Sequence, residues 1–277
     1  MPKAFVFRPE QKIVGIQNYL SEYANSSDLA VAISIELDDF QFTTSINGSE
    51  IFPAASLLKI ALSMSLENKA KASTLNLFDR HTLEEIYSLS HSNSVLRGLV
   101  HSKHLTTEEL LRIMLISSDE LATYKLLQLT NISSINEFLI NNKFLKTQLH
   151  QSSNGVSISG QTTALESLSL LKLARDKTSF SLTSASLENT ILNSRIPLGV
   201  RDPSIKISHK TGSLPGVAND VAMLETQKGL IQISFLSKNQ VDTVITGYKM
   251  GLCTAEILAL LGAAVSRSLS VVSDNNG

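Results

Sequence analysis

Apolar and polar positions alternate along the chain in changing rhythms. Between residues 11 and 24 the apolar positions Ile13, Val14, Ile16, Leu20 and Tyr23 recur at the three-to-four spacing of an amphipathic helix. LAVAISIEL (29–37) is rich in β-formers, DDF (38–40) turns the chain, and FQFTTSI (40–46) alternates apolar and polar residues, so the segment predicts a hairpin. Asn47 and Gly48 then punctuate the chain. From about 56 to 195 the helical period returns. SLLKIALSMSLENKA, TLEEIYSL, SVLRGLV, TTEELLRIMLI, DELATYKLLQLT, SINEFLINN and TALESLSLLKLARD all predict helices, with N-terminal signatures at Thr82-Leu83-Glu84-Glu85 and Thr106-Thr107-Glu108-Glu109. LKTQLHQSSNGVSISGQTT (145–163) breaks the pattern. It is polar and aperiodic, and reads as a long loop of the kind that is usually functional or disordered. After about 200, IKISHKTG, VANDVAML and GLIQISFLS predict strands, and a last helix runs from about Val241 to Ser268. The tail SVVSDNNG reads as frayed.

Strands at both ends therefore flank a helical middle. The prediction is an α/β (α+β) fold in one unit, residues 1–277. Residues 1–55 and 196–277 form an antiparallel sheet with flanking helices, and 56–195 form an all-helical lobe. A site is expected in the cleft between the lobes. Composition supports a sizeable core: 277 residues, 43% hydrophobic and 18% charged. A formal net charge of -1, a pI of about 6.6 and the lack of any basic run point away from nucleic acid and from an anionic membrane. The lone cysteine, Cys253, allows no internal disulfide and reads as a small buried hydrophobe. The apolar part of MPKAFVFRPEQK is too short for a signal-peptide core, and the run from Ile257 to Val265 is too short to span a bilayer. As written the chain reads as cytoplasmic; a removed signal peptide would make it periplasmic or secreted.

Three short motifs carry candidate chemistry. In FPAASLLK, Ser56 lies three residues before Lys59, on one helix face, with Pro53 suiting a helix start. A serine becomes a nucleophile when a base takes its proton, and a lysine can be that base when burial or a nearby cation lowers its pKa. The plain alternative is a capping serine and a solvated lysine. In ISSDEL (116–121), at a junction between helices, Ser118 is either a second hydroxyl delivered to the cleft or, with Asp119, a helix cap. In IKISHKTG, Lys210 either protects an edge strand or faces the cleft, anchoring a carboxylate and helping to lower the pKa of Lys59. Thr211 and Gly212 would let a substrate backbone lie along that strand. His209 reads as a strand residue with a structural partner.

Singly these motifs are weak, but their order is specific. S-x-x-K, S-D-x and K-T-G in this sequence is the arrangement of class A β-lactamases and penicillin-binding proteins. FPAASLLK, VLRGL, LTTEELLRIMLISSDELATYKLL, SRIPLGV and SHKTGSLPGVANDVAML resemble class A β-lactamase-like serine hydrolases over roughly residues 12 to 268. The resemblance implies a β-lactamase-like fold and attack on an amide or ester carbonyl of a small molecule through an acyl-Ser56 intermediate, without metal or organic cofactor. It makes Lys59 the base or proton shuttle and Ser118 the proton donor to the leaving group. It places Glu120, Lys210, Thr211, Gly212 and Ser213 on the substrate side, with the backbone N–H groups of Ser56 and Ser213 as the oxyanion hole.

Two departures stand out. The family's loop glutamate, which holds the deacylating water, matches Lys146, and its loop asparagine matches His150. No Asp or Glu occurs from Phe138 to Leu165. Altered or slow deacylation is the implication, with His150 either a replacement base or a solvated loop residue. The second departure is Glu120, where the family carries asparagine. Glu120 would pair with Lys59, select a substrate amino group, or simply favour the helix dipole. Alternatives to a β-lactamase are a D-Ala-D-Ala-type peptidase, an intracellular esterase or acyltransferase of specialised metabolism, and a vestigial ligand-binding member.

Overall fold

The structure is a computed structural model that describes residues 8–88, 94–99, 103–151 and 158–262. The tail 270–277, expected to fray, lies outside the described residues. In chain order the elements are α1 (Pro9–Tyr23), β1 (Leu29–Leu37), β2 (Phe40–Ile46), β3 (Phe52–Pro53), α2 (Leu58–Lys71), β4 (Arg80–Thr82), α3 (Leu83–Tyr87), β5 (His104–Thr106), α4 (Thr107–Ile116), α5 (Glu120–Gln128), α6 (Ile132–Asn141), β6 (Gln148–Gln151), β7 (Ile158–Thr162), α7 (Ala164–Ala174), α8 (Ser181–Leu187), β8 (Lys206–Leu214), β9 (Val217–Thr226), β10 (Gly229–Ser237) and α9 (Thr243–Leu261).

The main sheet has the order β2-β1-β10-β9-β8, and all its pairings are antiparallel. Side chains alternate across it, as the two-residue period of a strand requires. Val31, Ile33, Ile35, Ala222, Leu224, Ile231, Ile233 and Phe235 pack with Ile16 and Leu20 of α1 and Met250, Ile257 and Leu258 of α9. Ala30, Ala32, Val221, Met223 and Leu236 belong instead to the core shared with α2, α4, α5 and α7. The small Ala30 and Ala32 let α7 lie close, and Ser167 bonds Ser234 across this contact at 2.7 Å.

Helix α2, 14 residues long, is buried from Leu58 through Glu67. Its buried carboxylate, Glu67, has partners in the first turn of α8, accepting from the N–H groups of Leu182 and Thr183 and the Thr183 hydroxyl. A helix held on all sides is a rigid mount for Lys59.

Several expectations are corrected. The stretch 145–163 is not an irregular loop: β6 and β7 form a hairpin, and β7 pairs with β3. Its polar composition hid the strands because the hairpin contributes few side chains to the core, Leu149 and Thr162 among them. Pro53 does not start a helix. It lies in β3 opposite Gln161, where its missing N–H suits a short bridge. The described residues of SVLRGLV form a 3-10 turn, Val95–Gly98, rather than an α-helix. β4 pairs with β5 unannounced by any alternation. The last helix is described to Leu261, where Gly262 adopts φ 65, the left-handed cap that glycine favours, and the rest of its expected span, 263–268, lies outside the described residues.

Candidate active site

Ser56 sits in a 3-10 turn, Ala55–Leu57, immediately before α2. The turn is gripped from both sides. Ala54 donates its N–H to Gly160 O of β7 at 3.0 Å, and the Asn219 amide of β9 donates to Pro53 O at 2.7 Å and Ala54 O at 3.4 Å. Ala55 is held at φ 50, a left-handed conformation that costs an alanine about 1–2 kcal/mol. Gly212 makes the close approach of β8 possible. A Cβ there would meet Ala54 O at 2.9 Å and Ala55 Cβ at 3.2 Å. The KTG strand thus lies directly against the turn that carries Ser56.

One helical turn on, Lys59 is 1% exposed. Its Nζ donates to Ser118 O at 2.7 Å, to Glu120 Oε1 at 2.6 Å and, more weakly, to Ser118 Oγ at 3.3 Å. The pairing of Lys59 with Glu120 anticipated from the S-D-E sequence is therefore present. Burial pushes the Lys59 ammonium below its ordinary value, with Glu120 pulling it back up. The Glu120 side chain remains 37% exposed.

Ser118 reaches both lysines because of its backbone. It adopts φ 58, which turns its carbonyl and hydroxyl together onto Lys59. Asp119 fixes the junction: Oδ1 accepts from Ala122 N at 3.0 Å as the cap of α5, and Oδ2 accepts from Ser94 Oγ and Val95 N at 2.7 and 2.9 Å. From β8, the fully buried Lys210 donates to Ser118 Oγ at 3.0 Å and to Thr211 O at 3.0 Å. Burial, reinforced by the Lys59 charge, holds Lys210 well below the ordinary lysine range, against the pull of Asp220 and Glu120. Both lysines donate to one hydroxyl oxygen, so the Ser118 hydrogen is directed away from them.

Behind the strand, His209 is buried, as expected of a structural residue. Its Nδ1 lies 3.1 Å from Asp220 Oδ1 and its Nε2 3.1 Å from Asn193 Oδ1. Arg195, which sequence reasoning gave no role, bonds the carbonyls of Gly212 and Asn219 and donates to Ser213 Oγ at 2.5 Å. It orders the Gly212–Ser213 stretch of β8. Its signal was visible only as part of SRIPLGV.

The structure gathers Ser56, Lys59, Ser118, Glu120, Lys210, Thr211, Gly212 and Ser213 into one place, but not Lys146 or His150. Lys146 Nζ donates to Ser49 O at 2.8 Å, and His150 is exposed on β6 opposite Ser159. Among the described residues neither bonds Ser56, Lys59, Ser118 or Lys210. A residue missed from the sequence, Glu166 of α7, explains the loop's course. Its carboxylate accepts the N–H groups of Leu145, Lys146 and Thr147 and the Thr147 hydroxyl.

Comparisons with known proteins place the chain in a family. The model of the β-lactamase enzyme family matches residues 15–262. The β-lactamase of Sphaerobacter thermophilus superposes with a TM-score of 0.76 at 23% identity, over 90% of this chain and 97% of that one. The reconstructed class A β-lactamase of the last common ancestor of Gram-negative bacteria gives 0.76 at 19% identity, over 89% and 99%. A second ancestral class A β-lactamase gives 0.75 at 18% identity, over 88% and 98%. No curated protein matches the chain. At these identities the superpositions speak for the fold, which is that of class A β-lactamases. The family match covers most of the chain, and the chain belongs to the β-lactamase enzyme family. It is a hydrolase of the β-lactamase kind.

Proposed function

We propose that the chain is a serine acyl-transfer hydrolase that opens an amide or ester of β-lactam-like geometry through an acyl-Ser56 intermediate and releases the acyl group slowly. The observation that carries this reading is the Lys59–Ser118–Lys210 chain of hydrogen bonds mounted beside the Ser56 turn. Ser56 attacks the carbonyl, Lys59 shuttles its proton, and Ser118 protonates the leaving atom. The N–H groups of Ser56 and Ser213 hold the developing oxyanion, each donor contributing about 3–4 kcal/mol in comparable sites. Lys210, Thr211 and Ser213 bind the substrate's carboxylate side. Slow release is supported by the residues from Phe138 to Leu165, which include no carboxylate to prime a water.

Intact-mass spectrometry after incubation with a fluorescent penicillin tests the reading. A long-lived adduct that maps to Ser56 and vanishes in Ser56→Ala is the expected result. Rapid loss of adduct with release of opened penicillin would make the protein an efficient β-lactamase. No adduct with penicillin or with a nitrophenyl ester would overturn the acyl-enzyme reading.

A further inference from the structure

Lys59 takes its carboxylate partner from the S-D-E junction. No carboxylate lies between Phe138 and Leu165, and the next one along, Glu166, is committed to the N–H groups of residues 145–147. The carboxylate on Lys59 comes from the S-D-E junction, 2.6 Å from Nζ. Both bonds the structure gives Lys59 to this junction's main chain and carboxylate are short, whereas none reaches Ser56 among the described residues.

We propose that Glu120 is a positioning residue that receives, through Lys59, the proton that Ser56 loses during acylation. The inference rests on the acyl-Ser56 reading. As Ser56 Oγ bonds the carbonyl carbon, its O–H bond breaks and the proton passes to Lys59 Nζ, while Lys59 hands a proton to Glu120 Oε1. On collapse the leaving atom takes the Ser118 hydroxyl proton, Lys59 restores Ser118, and Glu120 restores Lys59. No proton is gained or lost, and the carboxylate is regenerated in the acyl-enzyme.

The surroundings favour this route. Asp119, at the same junction, has both carboxylate oxygens occupied by Ala122, Ser94 and Val95. Lys210 faces the group from β8 through Ser118, with Asp220 of β9 and Arg195 behind it. The exposure of the Glu120 side chain leaves room for its carboxyl to take up and release a proton without being stranded in the core.

The test is the rate of Ser56 acylation by a fluorescent penicillin, with a nitrophenyl ester as second probe. It is measured in the full chain and in Glu120→Gln and Glu120→Asp. Glu120→Gln should slow acylation by about 100-fold, and Glu120→Asp, which keeps a carboxylate, should recover part of that rate. Glu120→Gln that acylates as fast as wild type, or Glu120→Asp that is no faster than Glu120→Gln, would overturn the inference, since the pair would then merely hold Lys59 in place. If Glu120→Gln does not fold, Glu120→Ala decides: acylation restored by added acetate supports the inference, and acylation that acetate leaves unchanged overturns it. Wild type that acylates Ser56 in any of these outcomes leaves the parent reading standing; wild type that forms no adduct with either probe removes both.

Discussion

Ser118 is a polar residue held in a conformation few side chains choose, at φ 58. Its backbone aims both of its oxygens at Lys59, so strain and chemistry are joined at one position. Ser118→Gly separates them. Glycine takes this backbone without strain, but the lost hydroxyl is an acceptor for buried Lys59 and Lys210, so the variant should be less stable by about 1–2 kcal/mol in urea unfolding. Acylation should fall by about 100-fold or more because the hydroxyl is gone. Gly212→Ala should do the reverse kind of damage. Its new methyl meets the Ala54 carbonyl and pushes β8 off the nucleophile turn, so acylation should be lost in a folded protein whose circular dichroism is unchanged. Cys253 offers a simple check on packing. Burial raises its thiol to about 12, and iodoacetamide at neutral pH should label it only after denaturation.

At the scale of elements, the hairpin β6–β7 and helix α7 form one device. Glu166 stands in the first turn of α7, where Thr163 caps the helix, and its carboxylate gathers the backbone of residues 145–147. β7 in turn supplies the carbonyl that holds Ala54. Glu166→Ala should cost on the order of 2 kcal/mol, since several charge-assisted hydrogen bonds end on this one group. Amide exchange should quicken first over residues 145–151 and 158–162. The long polar stretch gave no period to read, because a hairpin pinned by backbone bonds and one carboxylate needs few apolar side chains.

At the scale of the molecule, burying Lys59 and Lys210 close together is a burden on stability. Both groups have folded pKa values below their unfolded ones. Above the folded pKa the unfolded chain binds more protons, so their contribution to stability rises with pH toward the ordinary lysine value. Below the folded pKa, where both states are protonated, the full penalty of the buried ammonium is felt. Lys210→Met should therefore raise the melting temperature near neutral pH and flatten this dependence, while acylation is lost. A variant that melts lower would show that the hydrogen bonds of Lys210 to Ser118 and Thr211 outweigh its desolvation.

Much of this protein was legible in order. β1, β2 and β10 fall where alternation and β-formers placed them, and the helices of the middle segment follow the apolar period closely. Ser56, Lys59, Ser118 and Lys210 could be singled out because each sits in a short motif whose spacing is local. Arg195, Asn219 and Glu166 could not, because each works on main-chain atoms distant in sequence, and no local pattern marks a carbonyl or an N–H that needs a partner.

The sequence alone determined the helical and strand rhythms, the motif set and the lack of any carboxylate in the loop, since those depend only on residue type and near neighbours. Only the tertiary structure decided which carboxylate meets Lys59 and that the long polar stretch pairs beside Ser56. It also decided that two buried lysines share one hydroxyl. The physical reason is distance: these facts are created when segments some 60 to 90 residues apart are packed into hydrogen-bonding range, as Lys59 with Ser118 and Glu120, and Ser118 with Lys210.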